Sequence, residues 1–215
     1  MALGMKLNNK IILLIIFIST CYPVELYVGG SKSIRPIKYE NREITGCKYF
    51  NSFVLGIEKE LYKVTDSYQI FCTLYLVNKG ISGERIISDN SGNVVGTFSG
   101  ENFTTYLSTA IIIKTKIPQL IPDLSFFIGP RFDYALNHVE QKSSVEYNPE
   151  TGGIMGQNFN NTDIGYDVGI ELSKGNLSFK YIYSGNISKS YSTKLIEIRN
   201  VTHQFLVGVK LQKNN

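Results

Sequence analysis

"DIGYDVGIELSKGNLSFKYIYSGNIS", residues 163–188, decides the fold once every second residue is read. Ile164, Tyr166, Val168, Ile170 and Leu172 make one set, and Asp163, Gly165, Asp167, Gly169, Glu171 and Ser173 make the other. A period of two belongs to a strand, whose successive side chains point to opposite faces. Here one face is oily and the other small or charged. The pattern breaks at a short connection over 174–176 and then resumes.

Working outward, strand follows strand, and no segment after residue 24 has a helical period of useful length. "LYVGGSKSI" (26–34) is the first candidate, and "KYFNSFVLGIEKEL" (48–61) is the second, with Phe53, Leu55, Ile57 and Leu61 on one face. "YQIFCTLYLVNKG" (68–80) follows a turn at Thr65-Asp66-Ser67. Residues 81–101 carry the polar tip "SDNSGN" and read as a hairpin extension or a long loop. "NFTTYLSTAIIIKTKI" (102–117) alternates again, and Pro118 and Pro122 bracket the turn after it. In "LSFFIGPRFDYALN" (124–137) the even positions are apolar and Ser125, Gly129, Arg131, Asp133 and Asn137 oppose them, with Phe127 the exception. Residues 138–162 read as a long loop. Strands at 163–173, 177–187 and 199–211 complete a set of eight.

Short connections follow candidates two, four and six, and longer ones follow one, three, five and seven. That alternation, with oily ribbons, predicts an all-β fold: an eight-stranded antiparallel up-and-down transmembrane β-barrel. Hydrocarbon would cover the apolar face, and since lipid tolerates no open sheet edge the sheet must close. The opposite face would fill a narrow lumen, because eight strands enclose just enough space for side chains. Arg131, Asp133, Asp167, Glu171 and Lys180 fall on that inner face and form a candidate charge network of structural role. The expected register sets Glu171 opposite Ser178 and diagonal to Lys180, and Arg131 opposite Asp167. Phe53, Tyr68, Phe126, Tyr134, Tyr166, Tyr183 and Phe205 lie on the outer face, where they suit interfacial girdles or simply reflect strand propensity.

The start of the chain reads as an export signal. Lys6 and Lys10 precede "IILLIIFI" (Ile11–Ile18), a run far short of the roughly 20 apolar residues that a spanning helix needs. A buried first strand is the alternative. The expected division is a signal peptide over 1–24 and a barrel domain over 25–215. Cys21 stands at the boundary, where a lipid anchor is a further option, and a Cys47–Cys72 disulfide is possible only if Cys72 does not face lipid. The charge of +4 falls to +2 without Lys6 and Lys10 and is not clustered, which argues against nucleic acid as a partner. Three cysteines and two histidines lack ligand spacing, so no metal or cofactor is expected.

Three segments carry a family resemblance: "YLSTAIIIKTKI" (106–117), "FFIGPRFDYAL" (126–136) with Gly129-Pro130, and "DIGYDVGIEL" (163–172) with Asp163, Gly165 and Gly169. In that order they resemble the outer-membrane β-barrel domain family, or porin family, of Bacteroidetes-type Gram-negative bacteria. Ala110 stands where such proteins often carry Pro, and the chain passes Leu211 to "QKNN" where they often end on an aromatic. The resemblance implies a cell outer-membrane protein with no activity or catalytic residues to transfer.

No enzyme is expected. His138 lies near Ser143 and Ser144, His203 lies on the last strand, and no G-x-S-x-G element is present. The expected role is structural, adhesive or envelope-accessory, without wide-pore conductance. The expected partners are outer-membrane lipid, the barrel assembly machinery and an envelope protein reached through loops 81–101 and 138–162. A soluble exported lipocalin-like barrel, with the faces reversed around an apolar ligand, is the alternative.

Overall fold

The computed structural model describes residues 24–39, 42–43, 48–88, 94–116, 123–147, 160–189, 191–192 and 196–211. The expected signal segment and Cys47 lie outside the described residues, apart from Val24, which opens the first strand.

In chain order the strands are β1 (Val24–Ile34), β2 (Ile37–Tyr39), β3 (Arg42–Glu43), β4 (Lys48–Lys63), β5 (Tyr68–Ser88), β6 (Val94–Lys116), β7 (Leu124–Tyr147), β8 (Thr162–Lys174), β9 (Leu177–Asn186), β10 (Tyr191–Ser192), β11 (Ile196–Ile198) and β12 (Val201–Leu211). Eight of them close into a barrel in the order β1-β12-β9-β8-β7-β6-β5-β4, every neighbour antiparallel. The first strand pairs with both β4 and β12, so no barrel strand keeps a free edge along its whole length. The four short strands form a separate sheet in the order β10-β11-β2-β3, built from the two connections that flank β1 and β12.

The two ends of the barrel differ. At the turn end, Gly175 adopts a φ of 61°, the left-handed conformation that opens a two-residue hairpin between Lys174 and Leu177. In the β4–β5 turn, the Thr65 hydroxyl accepts from the backbone N–H groups of Ser67 at 3.2 Å and Tyr68 at 3.1 Å. The opposite, loop end carries the longer strands. Residues 81–88 and 94–101 prove to be strand, pairing from Ile81–Asn102 out to Ser88–Val94. The expected loop at 138–162 is corrected over its first ten residues: β7 continues to Tyr147. Its backbone completes a ladder against the extension of β6, from Thr104–His138 to Gly96–Tyr147. Hydrophobic alternation is lost in "HVEQKSSVEY", which hides the strand from a pattern reading.

Alternation is preserved around the ring. Ile164, Ile170 and Val207 point outward and are 55, 41 and 41 % exposed, while Asp167 and Glu171 are buried inside. Tyr27, Val54, Tyr75, Val77, Tyr106, Ile112, Phe127, Ile182 and Leu206 pack with Ala110 as an apolar cluster within the lumen. The inner face is therefore less polar than its Gly, Ser and Thr content suggests. Phe127, the apparent break in the pattern of β7, belongs to this cluster. A Cβ on Gly169 would lie 2.5 Å from Cζ of its ring, so the missing side chain at Gly169 is what admits Phe127.

Candidate functional site

Eleven charged residues are buried among the described side chains, namely six acids and five bases. All have inward positions on their strands or, for Arg35, follow β1 directly. They form two layers.

Nearer the turn end, Glu25 (β1), Glu58 (β4), Lys114 (β6), Glu171 (β8) and Lys180 (β9) converge. Lys114 Nζ donates to Glu171 Oε2 at 2.6 Å and also to Glu58. Lys180 Nζ bonds Glu58 and lies 3.1 Å from Glu171 Oε2. Tyr27 donates to Glu171 at 3.2 Å, Ser173 donates to it at 2.9 Å, and Ser178 donates to Glu25. Each ammonium also meets a ring face. Lys114 Nζ sits 4.1 Å from the Phe71 centroid and Lys180 Nζ 4.0 Å from the Tyr27 centroid. The cation is thus held between carboxylates and a π-face, which offsets part of its lost hydration.

Nearer the loop end, Arg131 (β7) is the hub. Its Nη1 donates to Asp167 Oδ1 at 2.8 Å, its Nε lies 3.0 Å from Asp133 Oδ1, and its Nη2 donates to Asn186. Lys79 Nζ reaches Asp133 Oδ2 at 2.6 Å. Asn186 and Asn200 donate to Asp163 at 2.8 and 3.2 Å. Arg35 Nε donates to Asn200 Oδ1 at 2.9 Å, and its Nη2 donates to Thr104 Oγ1 at 2.7 Å.

All five residues singled out in the sequence, Arg131, Asp133, Asp167, Glu171 and Lys180, are buried in the lumen, divided between the layers. Their expected registers differ from the observed ones. Glu171 faces Lys180 directly and Ser173 faces Ser178, because the hairpin has only Gly175 and Asn176 between its paired ends. Arg131 faces Gly165 while Asp167 faces Gly129, so the Arg131–Asp167 pair is diagonal and depends on the reach of the guanidinium. The reading missed Glu25, Arg35, Glu58, Lys79, Lys114 and Asp163. Period-two parity was the available signal. Phe53, Leu55 and Ile57 set the outward face of β4, which places Glu58 inside.

Chemically, the loop-end layer balances three acids with three bases, and the turn-end layer sets three acids against two. Glu25, Glu58 and Glu171 bring carboxylate oxygens within 4.8 Å of one another, a spacing a divalent cation could use. Lys114 and Lys180 bond two of the three, Glu58 and Glu171. His138 pairs with Thr104 through Nδ1 at 2.8 Å, and His203 pairs with the Tyr181 hydroxyl at 2.8 Å on the outer wall. Outside the wall, Lys63 and Asp66 pair at 2.6 Å in the β4–β5 turn, and the hydrogen bond from Lys63 holds the Asp66 carboxyl below its usual range.

No family model and no curated protein matches the chain. Among solved structures, the chain is similar to the attachment invasion locus protein Ail of Yersinia pestis, at 11 % identity over 88 % of this chain and 98 % of that one, with a TM-score of 0.43. Neisserial surface protein A is similar at 12 % identity, 86 % and 97 % coverage and a TM-score of 0.46. The translocator domain of the autotransporter NalP from Neisseria meningitidis is similar at 12 % identity, 94 % and 95 % coverage and a TM-score of 0.32. The assignment of a closed barrel rests on the strand register of this chain itself.

Proposed function

We propose that this protein is an integral β-barrel of a Gram-negative outer membrane, with a structural, adhesive or envelope-accessory role and no wide-pore conductance. One observation carries the reading: the barrel wears its large aliphatic and aromatic side chains outside and its ion pairs inside. Water outside would make that pattern unfavourable, whereas hydrocarbon makes it favourable, because each large apolar side chain gains about 1.5–3 kcal/mol on leaving water. Tyr49, Phe53, Tyr134, Tyr166 and Phe205, exposed on the loop-end half of the wall, suit an interfacial girdle, with Tyr62, Tyr68 and Phe126 toward the turn end. The two ionic layers then act as a plug that fills and stiffens the lumen.

The rest of the reading extends the same proposal. The residues that precede β1 direct export and are removed, the chain is kin to the porin-family barrels it resembles, and the assembly machinery inserts it. The β5–β6 hairpin and the connection after β7 offer the contact surface for an envelope partner. The soluble carrier needs the faces reversed, and the eleven buried charges speak against an apolar ligand inside. Fractionation tests the proposal. The protein is expected in the outer-membrane pellet, extractable only with detergent, and faster on a gel before boiling than after. A protein soluble without detergent refutes it.

A further inference from the structure

The outer wall is not flush. Across β5 to β8 lies an apolar groove of about 500 Å³, lined by Ile70, Ile111, Ile113 and Ile128, by Tyr166 and Ile187, and by Pro130 between them. Its origin is local. Pro130 occupies an outward position on β7 between Ile128 and Phe132, and its compact ring fills less space than either. It also has no N–H to give. The β6–β7 ladder accordingly passes from Ala110–Arg131 to Ile113–Ile128 and skips Gly129 and Pro130. A strand interior with a Pro is thus tolerated here, at the point where the wall is recessed.

We propose that this groove seats one acyl chain of a membrane lipid as a defined site, distinct from the lipid that merely surrounds the barrel. The inference rests on the membrane reading above. The groove is continuous with the outward aliphatic face and is lined by hydrocarbon, so its occupant is a hydrocarbon chain and not a headgroup. Its size falls within the range of about 300–1,000 Å³ usual for ligand clefts. A chain lying in it meets side chains of β5, β6, β7 and β8 together. Tyr166, whose ring lies 6.2 Å from that of Tyr183, marks its edge, so the polar end of the lipid points toward the loop end of the barrel.

The absence of Trp from the chain makes a clean test. Tyr166→Trp and Val207→Trp each place a single indole, one at the groove and one on the flat wall of β12. Each variant is held in detergent micelles and titrated with phosphatidylcholine carrying brominated acyl chains, which quench on contact. The Tyr166→Trp indole is expected to show a saturable phase that ends near one lipid per barrel. The Val207→Trp indole is expected to dim only in proportion to the lipid fraction. Adding Pro130→Phe to Tyr166→Trp fills the groove and is expected to abolish the saturable phase. Two superimposable proportional curves overturn the site. A separate arm in fully brominated vesicles checks the membrane reading alone: if the Val207→Trp indole is not quenched there, that reading fails and not merely the groove.

Discussion

Replacing Lys180 with Met is the sharpest perturbation of the lumen. Lys180 is fully buried, bonds Glu58 and Glu171, and rests on the Tyr27 ring at 4.0 Å. Methionine keeps most of the volume and removes the charge. The turn-end layer then holds three carboxylates against Lys114 alone. Removing one partner of a buried pair costs about 3–5 kcal/mol, because the other charge is stranded. There is also a ceiling. A stranded glutamate can take up a proton, and for an ordinary carboxyl titrating near 4.3 this costs about 3.7 kcal/mol at pH 7. The expected loss is therefore about 3–4 kcal/mol at neutral pH, and it should shrink toward pH 5, where the proton is cheaper to bind. Urea unfolding of the barrel in lipid vesicles, followed by the unboiled gel shift, measures it. Glu171→Gln in the Lys180→Met background should recover a large part, giving a coupling of about 1–3 kcal/mol. A loss below about 1 kcal/mol that does not depend on pH, with simple additivity in the double variant, would refute the idea that these ions hold one another in place.

Gly169→Val should prevent stable closure, because its first side-chain carbon would lie 2.1 Å from the Tyr181 carbonyl oxygen and 2.5 Å from the Phe127 ring; an unchanged gel shift would contradict the packing. Gly175→Ala, with open space but a φ of 61°, should lower unfolding stability by only about 1 kcal/mol. Val207→Arg should cost about 2–4 kcal/mol if the wall meets lipid near its midplane, and almost nothing if it meets water. Planar bilayers containing the purified protein should show no large steady current, and a stable open channel would mean that the ionic layers do not fill the lumen. Lowering the pH through the depressed Asp66 titration should release its pairing with Lys63, yet Asp66→Asn should leave the unfolding midpoint unchanged, since both groups are exposed.

The alternation from Asp163 to Ser173 was sufficient to reveal the two faces and the strand type, and the alternating short and long connections supplied the barrel, because the contrast between the wall's two sides fixes which residues share a face. Where that contrast fades, so does legibility. Residues 138–147 continue the ladder with β6, and no period-two alternation in their sequence announces it. The inward charges were readable by parity, but their partners were not. A two-residue change in hairpin length moves Glu171 from Ser178 to Lys180, and no propensity distinguishes the two registers. The apolar lumen cluster was hidden for another reason: Tyr75 and Ile182 lie in stretches such as "FCTLYLV" and "FKYIYSG", where both faces are greasy.

The seam between β1 and β12 has a kinetic consequence. Its partners run from Val24–Leu211 to Ile34–Val201, so the first and last strands of the cylinder must find each other across nearly the whole polypeptide. Hairpins such as β8–β9 can zip early on local contacts, whereas this lock forms only after the intervening ribbons are in place. Until then, two raw edges are available to any passing strand, and maturation is a race between sealing and clumping.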